Sequence, residues 1–256
     1  MPPPQPAPGF RWVAAPWGVQ LVADGLADFR HGWTTRQLQL RGTAGVEANG
    51  WDQVAAAAGV ERGALVRMRQ MHGTTVYSAS DDPSLAVIEA DAAISANRLK
   101  ALTVQVADCV PLLLADPVCG AVAVAHAGWR GTMGDIGGNV VQRLASDQAL
   151  PASRLRAAIG PSIGPCCYAV GPELREKFQF AGWPADEMES WFELRNGRWY
   201  LDLWRANTDQ LARRGIPPDA IQVSRLCTAC HAEWFPSYRR DGPGAGRIAG
   251  FVASHH

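Results

Sequence analysis

The 256-residue chain has no surplus of either charge: 24 Lys and Arg stand against 24 Asp and Glu, a formal net charge of zero. A chain-wide basic field of the kind that attracts nucleic acid is therefore missing, and no nucleic-acid partner is expected. Long apolar runs are missing too. Asp108, Asp116 and His126 break up the most apolar stretch, which falls short of the ~18 uninterrupted apolar residues of a membrane helix, so no membrane partner is expected. The opening segment MPPPQPAPGF has neither the basic nor the apolar part of a secretory signal, which makes the cytoplasm the expected compartment. No internal repeat or long low-complexity linker divides the chain. Residues 1–9 hold five prolines and are expected to form a disordered arm, with 10–256 as a single domain. At 47% hydrophobic and 19% charged, a domain of this length buries a large core without disulfide staples.

The pattern that remains is mixed. Three apolar runs of strand length, 101–107, 110–115 and 121–126, are separated by Asp108-Cys109 and by ADPVCG. Residues 65–80 read as strand on both sides of His72-Gly73. Strands are also expected over 155–160, 220–226 and 246–253. Residues 135–146 place Ile136, Val140 and Leu144 on one helical face. Further helices are expected over 52–59, over 171–178 with Pro172 in first position, and over 202–215 with Asp202 as N-cap and Gly215 as stop. The fold class is α+β, or a mixed-sheet α/β.

Polar residues at strand ends are the chemical candidates. His72, Cys109 and His126 each interrupt an apolar run just before a Gly- or Pro-containing turn, where a rigid sheet points side chains into a shared cleft. Two imidazoles and a thiolate make a catalytic zinc shell with a fourth position left for water, whose pKa then falls to roughly 7. Spacing alone does not choose between this and two satisfied core histidines beside a small buried thiol. Asp108 adjoins Cys109 and Arg130 follows His126 by four; Arg36, Arg239, Arg240 and Arg247 are further polar candidates for such a site. Arginines near a metal suit phosphate or carboxylate, and solvated surface charges are the plainer reading.

Three motif matches are set aside. GPSIG (160–164) fits the nucleophile elbow around Ser162, but Pro165 blocks the helix that must follow. CTACH (227–231) has the spacing of haem attachment or of a redox pair, without an export signal or a clean helix to support either. Cys227 and Cys230 are then buried or loop thiols, and the adjacent Cys166 and Cys167 are core thiols opening an element. The terminal His255-His256 pair is given no function.

Taken in order, HGWTTR (31–36), RQMHGTTV (69–76), EADAAIS (89–95), VQVADCVPLLLADP (104–117), VAVAHAGWRGTMGDI (122–136), AAIGPSIGPCCYAVG (157–171) and CTACHAEWFPSYRRDGPGAGR (227–247) resemble the laccase-domain family. That family is also called the multicopper polyphenol oxidase, purine-nucleoside-processing or peptidoglycan editing factor family. The resemblance implies a four-layer α/β/β/α arrangement: a mixed-sheet sandwich flanked by helices. It implies a metal on His72, Cys109 and His126, with zinc the expected ion and copper second, since the chain has no H-x-H pairs of copper-oxidase type. It implies phosphorolysis of purine nucleosides and deamination of adenosine, so the expected partners are a nucleoside and phosphate. Arg36 and Arg130 are the candidate phosphate ligands and Asp108 a candidate proton shuttle. A peptidoglycan-editing role attached to bacterial members opens an alternative: a cysteine amidohydrolase in which Cys109 attacks, His126 is the base, and Asp91 or Asp108 orients the imidazole. A non-enzymatic binding protein is the third reading. Its support is a departure from the family over 37–50, where QLQLRGTAGVEANG replaces the usual G-G-V-S loop. A second departure is Ala169, where the family more often has Glu.

Overall fold

The computed structural model describes residues 1–40, 44–79 and 88–254. Residues 41–43 of the altered loop and the His255-His256 tail lie outside the described residues. Among those described, the strands form three sheets. The first runs β1 (Phe10–Ala15), β2 (Gly18–Ala23), β3 (Arg30–Trp33), β15 (Ile248–Ala253), β7 (Ala101–Val106), β4 (Leu65–Val66). The second runs β14 (Ile221–Val223), β10 (Arg156–Ile159), β8 (Val110–Ala115), β9 (Val122–Ala127), β6 (Ala92–Ser95), β5 (Val76–Ser78). A small third sheet holds β11 (Ala169–Val170), β13 (Arg198–Leu201) and β12 (Phe192–Arg195). The helices are α1 (Ala44–Ala58), α2 (Trp129–Met133), α3 (Ile136–Gln148), α4 (Pro172–Phe180), α5 (Ala185–Trp191), α6 (Leu203–Arg213) and α7 (Tyr238–Asp241).

The layers follow from the two-residue period of the strands. In β8, Leu113 and Ala115 join Leu102, Val104, Ile248 and Val252 in the core between the two large sheets. Leu112 and Leu114 point the other way, onto Ile136, Val140 and Leu144 of α3 and Leu203, Ala206 and Leu211 of α6. On the far side, Ala249, Phe251 and Ala253 of β15 pack against Trp51, Val54, Ala55 and Ala58 of α1. Helix, sheet, sheet, helix is the four-layer order, and β8 and β9 are buried on both faces, as their unbroken apolar runs require.

The three central strands fall within one residue of their expected bounds, but β7 and β8 are not neighbours. The Asp108-Cys109 turn carries the chain from the first sheet to the second, with Asp108 at φ 84. Asp202 caps α6 by accepting from the Arg205 N–H, and Gly215 ends that stretch at φ 95. Helix α1 begins eight residues before the expected helix and runs through Asn49 and Gly50, residues of low helix propensity. Two hairpins went unread: β1–β2, and β12–β13 with Asn196 and Gly197 at positive φ in its turn. The proline arm has no helix or strand, yet it is fastened to the body rather than free. Ala7 N–H donates to the Ser224 carbonyl, and Trp12 Nε1 donates to the Pro4 carbonyl.

Trp33 of β3 shows why two glycines are needed. It is fully buried between the large sheets; its indole fills the space that a Cβ at Gly160 would occupy and would lie 3.0 Å from a Cβ added at Gly250. Gly160→Ala is therefore expected to lower stability by about 1–3 kcal/mol through overpacking. Gly244→Ala, with nothing within 4 Å of the added methyl, is expected to stay within about 0.5 kcal/mol. Urea unfolding midpoints of the two variants check this.

Candidate metal centre

The register of the second sheet assembles the site at one end of the sandwich. In the β8–β9 ladder Pro111 pairs with His126, so Cys109, just before β8, lies beside the end of β9. In the β6–β9 ladder Ala92 pairs with Ala125, which puts Asp91 against His126. The His126 N–H donates to the Asp91 carbonyl at 2.7 Å. Since Val122 and Val124 face the inter-sheet core, two-residue alternation sends the His126 ring to that same face. His72 sits in the loop before β5, held in left-handed backbone at φ 59. For a non-glycine residue that conformation is uncommon and needs outside support.

Asp91 supplies the support. Its buried carboxylate accepts from three successive N–H groups: Met71 at 3.1 Å, His72 at 2.9 Å and Gly73 at 2.7 Å. It also meets His126 Nδ1 at 2.8 Å. Burial pushes the Asp91 carboxyl up, but the bonds to His126, Gly73 and His72 outweigh it and hold the group below its ordinary range. A donor at His126 Nδ1 leaves Nε2 as the ligating nitrogen, the usual carboxylate–histidine arrangement behind a metal.

The three candidate ligands converge. One donor atom from each of His72, Cys109 and His126 lies within 4.8 Å of the others, and the two imidazole rings stand 4.7 Å apart at 77°. The set grades from exposed His72 through half-buried Cys109 to buried His126. Burial raises the Cys109 thiol, yet the charge and hydrogen bonds of His126 and His72 bring it down to about 6. Burial lowers His126, yet the Cys109 thiolate and Asp91 carry it up to about 9. Without metal, Cys109 and His126 are thus a thiolate–imidazolium pair. The donor set fits zinc: two nitrogens, one anionic sulfur, a carboxylate behind one ring. Gly128 keeps the centre open, since a Cβ there would sit 2.9 Å from Cys109 Sγ and 3.5 Å from His72 Cδ2.

The centre opens on a cavity of about 630 Å³ between the sheet ends. Arg130, Arg239 and Arg247 line it, with Trp129, Tyr168 and the Gln70–Gln105 pair. Arg130 lies 4.2 Å over the Trp129 ring. Arg239 donates from Nη1 to the Ala169 carbonyl at 2.8 Å and lies 5.1 Å over the Tyr168 ring. Burial, then the Cys109 charge, push the Tyr168 hydroxyl above the usual phenol range.

Arg36 and Asp108 stand differently toward the cavity. Arg36 does not line the cavity; it pairs with Asp241 at 3.0 Å, beyond the wall formed by α7. Asp108 borders the cavity, but its carboxylate is committed elsewhere: it accepts from Thr228 Oγ1 at 2.6 Å, Ser237 Oγ at 3.0 Å and the Arg239 N–H at 2.6 Å. Ser162 is fully buried and accepts from Trp204 Nε1 at 2.6 Å, so it is no nucleophile. Of the two carboxylates considered for orienting the imidazole, Asp91 is the one in contact. Tyr168 was missed; only its place beside Cys166-Cys167 hinted at it.

Residues 43–255 match the family described as multi-copper polyphenol oxidoreductase laccase. The chain belongs to that family. It is 40% identical over 146 residues to purine nucleoside phosphorylase YlmD of Geobacillus stearothermophilus, a match that takes in 57% of this chain and spans about half (53%) of that relative's length. It is 37% identical over 205 residues to adenosine deaminase RL5 from an unknown prokaryotic organism, 76% of each chain. The crystal structure of the Bacillus licheniformis hypothetical protein YfiH has the same fold, with a TM-score of 0.86 at 27% identity over 97% of this chain and 100% of that one. The family's description implies metal binding, and this donor set is one that could hold an ion.

In the metal-free protein, Cys109 is expected to react with iodoacetamide at a rate that holds down to about pH 6 and falls below it, as the thiolate is protonated. Asp91→Asn weakens the imidazolium and should shift that fall to higher pH. The same substitution should cost about 10–100-fold in zinc affinity. Gly128→Ala should also lose metal while the far-ultraviolet circular dichroism stays unchanged. Peptide-resolved alkylation rates and zinc titrations measure these outcomes.

Proposed function

We propose that this chain is a metal-dependent enzyme of purine nucleosides, using one zinc at His72, Cys109 and His126 for phosphorolysis and for adenosine deamination. The observation that carries the reading is the meeting of that triad with three arginines and three aromatic rings, Trp129, Tyr168 and Tyr238, in one cavity. The names of the relatives, purine nucleoside phosphorylase and adenosine deaminase, point to the same substrate class.

In phosphorolysis a phosphate oxygen bonds to the ribose anomeric carbon, the carbon–nitrogen bond to the base breaks, and the purine leaves with a proton. Arg130 binds the phosphate, fixed by its stacking on Trp129, and Arg239 and Arg247 add the positive charge that gathers it. Tyr168 stays protonated and is the cavity's neutral donor toward the departing base. In deamination water adds to the purine ring and ammonia leaves. When bound, zinc supplies Lewis acidity that draws the pKa of water toward neutrality. Asp91 keeps His126 turned to the ion. Asp108 acts as a positioning residue for Arg239 in place of the proton shuttle expected of it, and Arg36 steadies α7 through Asp241.

A second reading rests on one observation. The Cys109, His126 and Asp91 side chains form a thiolate, an imidazolium and a carboxylate in series, the order of a cysteine nucleophile with its base and orienting acid. A muropeptide amide would then be the substrate.

Cys109→Ala is expected to lose zinc and to depress both reactions together. Arg130→Ala should lose phosphate-dependent cleavage by about 10²-fold or more while sparing deamination, a loss of the size usual for one charge-stabilising donor. Arg36→Ala should be milder on both. Zinc content with adenosine and inosine product assays decides the matter. Full amidase activity in zinc-stripped protein, abolished by iodoacetamide, selects the second reading.

A further inference from the structure

Four cysteines remain outside the site described, and the fold brings them together from two distant segments. Cys166 and Cys167 occupy the turn before β11; Cys227 and Cys230 form a C-x-x-C turn after β14. Read from the sequence as core thiols, Cys166 and Cys167 prove exposed and half-buried, while Cys227 is buried and Cys230 exposed. All four sulfurs lie within 4.8 Å of one another.

We propose that Cys166, Cys167, Cys227 and Cys230 form a second metal site, a four-thiolate cage for a single divalent ion of the zinc class. The spacing matches the occupant. A tetrahedral zinc with bonds of about 2.3 Å sets its sulfurs about 3.8 Å apart along each edge. Cys230 Sγ stands 3.4 Å from Cys167 Sγ and 3.6 Å from Cys166 Sγ. These separations are far beyond a disulfide bond of about 2.05 Å, and all four residues are free thiols. An iron–sulfur cluster places iron and sulfide between its thiolates and needs a wider cage. Soft S4 donor sets select zinc over harder ions.

The backbone is arranged as such a site requires. The Gly164 N–H donates to Cys227 Sγ at 3.3 Å, and the Cys230 N–H points to the same sulfur. N–H groups aimed at the first sulfur of a C-x-x-C turn steady it as an anion. Arginines brace both turns through their carbonyls: Arg195 at Pro165, Arg239 at Cys167 and Ala169, Arg240 at Thr228 and Ala229. The turns are pinned while the sulfurs are left facing one another.

The cage would tie together two walls of the cavity. Tyr168 follows Cys167, and Thr228, which holds Asp108, follows Cys227. This inference stands apart from the substrate reading, since it concerns an ion about ligands that do not touch the cavity's triad.

The test uses the full chain, purified under reductant and reconstituted with zinc or cobalt(II). Wild type is expected to bind two equivalents of zinc. Cys109→Ala should keep one, and its cobalt form should show an intense thiolate-to-cobalt charge-transfer band of a four-sulfur site. Cys166→Ser and Cys230→Ser should each lose the second equivalent and retain the first. Zinc-loaded Cys109→Ala should protect four thiols from alkylation and melt at a higher temperature than its zinc-free form. One equivalent in wild type and none in reduced Cys109→Ala would overturn the proposal, as would a cobalt spectrum without the four-sulfur band. Should the serine variants fail to fold, the cobalt spectrum of Cys109→Ala decides alone.

Discussion

The carboxylate of Asp91 is the constraint on which the centre depends. It is buried, it accepts from three consecutive backbone N–H groups, and it meets the ring of His126. One charged group thereby fixes two different things: the path of a loop and the orientation of a side chain. The loop must be held because His72 sits in left-handed backbone, a conformation that costs energy and persists only where surroundings over-determine it. The ring must be held because an imidazole free to turn would offer either nitrogen to the metal. A buried charge without such partners would be strongly destabilising; with four donors it is held as the anion.

A second constraint is topological. The chain leaves the first sheet at β7 and enters the second at β8 through three residues, Ala107, Asp108 and Cys109. So short a crossing lies at the end of the sandwich, where the inter-sheet core gives way to the cavity. Asp108 and Cys109 divide the work. Cys109 turns toward His72 and His126, while Asp108 turns toward Thr228, Ser237 and Arg239, the last of which lines the cavity. Electrostatics suit a cation: without metal the thiolate of Cys109 is balanced by protonated His126, and a divalent ion held there would replace that proton.

Much of the scaffold was legible because periodicity reports burial. Leu112 through Leu114 and Val122 through Ala125 are apolar without interruption since they are covered on both faces, and α3 shows its core stripe at Ile136, Val140 and Leu144. The hairpins β1–β2 and β12–β13 carry weaker signals: half-exposed strands mix polar and apolar residues, and only Pro16 with Gly18 and the pair Asn196-Gly197 mark the turns. The triad was recoverable as an ordered set of motifs. The placements of Arg36 and Asp108 were not, because a charged residue in a motif looks the same whether it faces a cavity or clamps a loop.

The sequence by itself determined the central strands, the helices α3, α4 and α6, the residue types of the candidate metal centre, and the family to which they belong, because local pattern and motif order are properties of the chain. Tertiary structure decided the partners. It chose Asp91 over Asp108 behind His126, moved Arg36 out of the cavity and Arg239 and Arg247 into its wall, and gathered Cys166 and Cys167 with Cys227 and Cys230 across some 60 residues of chain. The physical reason is that hydrogen bonds and ligand cages act over about 3–5 Å, and only the stacking of the sheets sets which distant residues come within that reach.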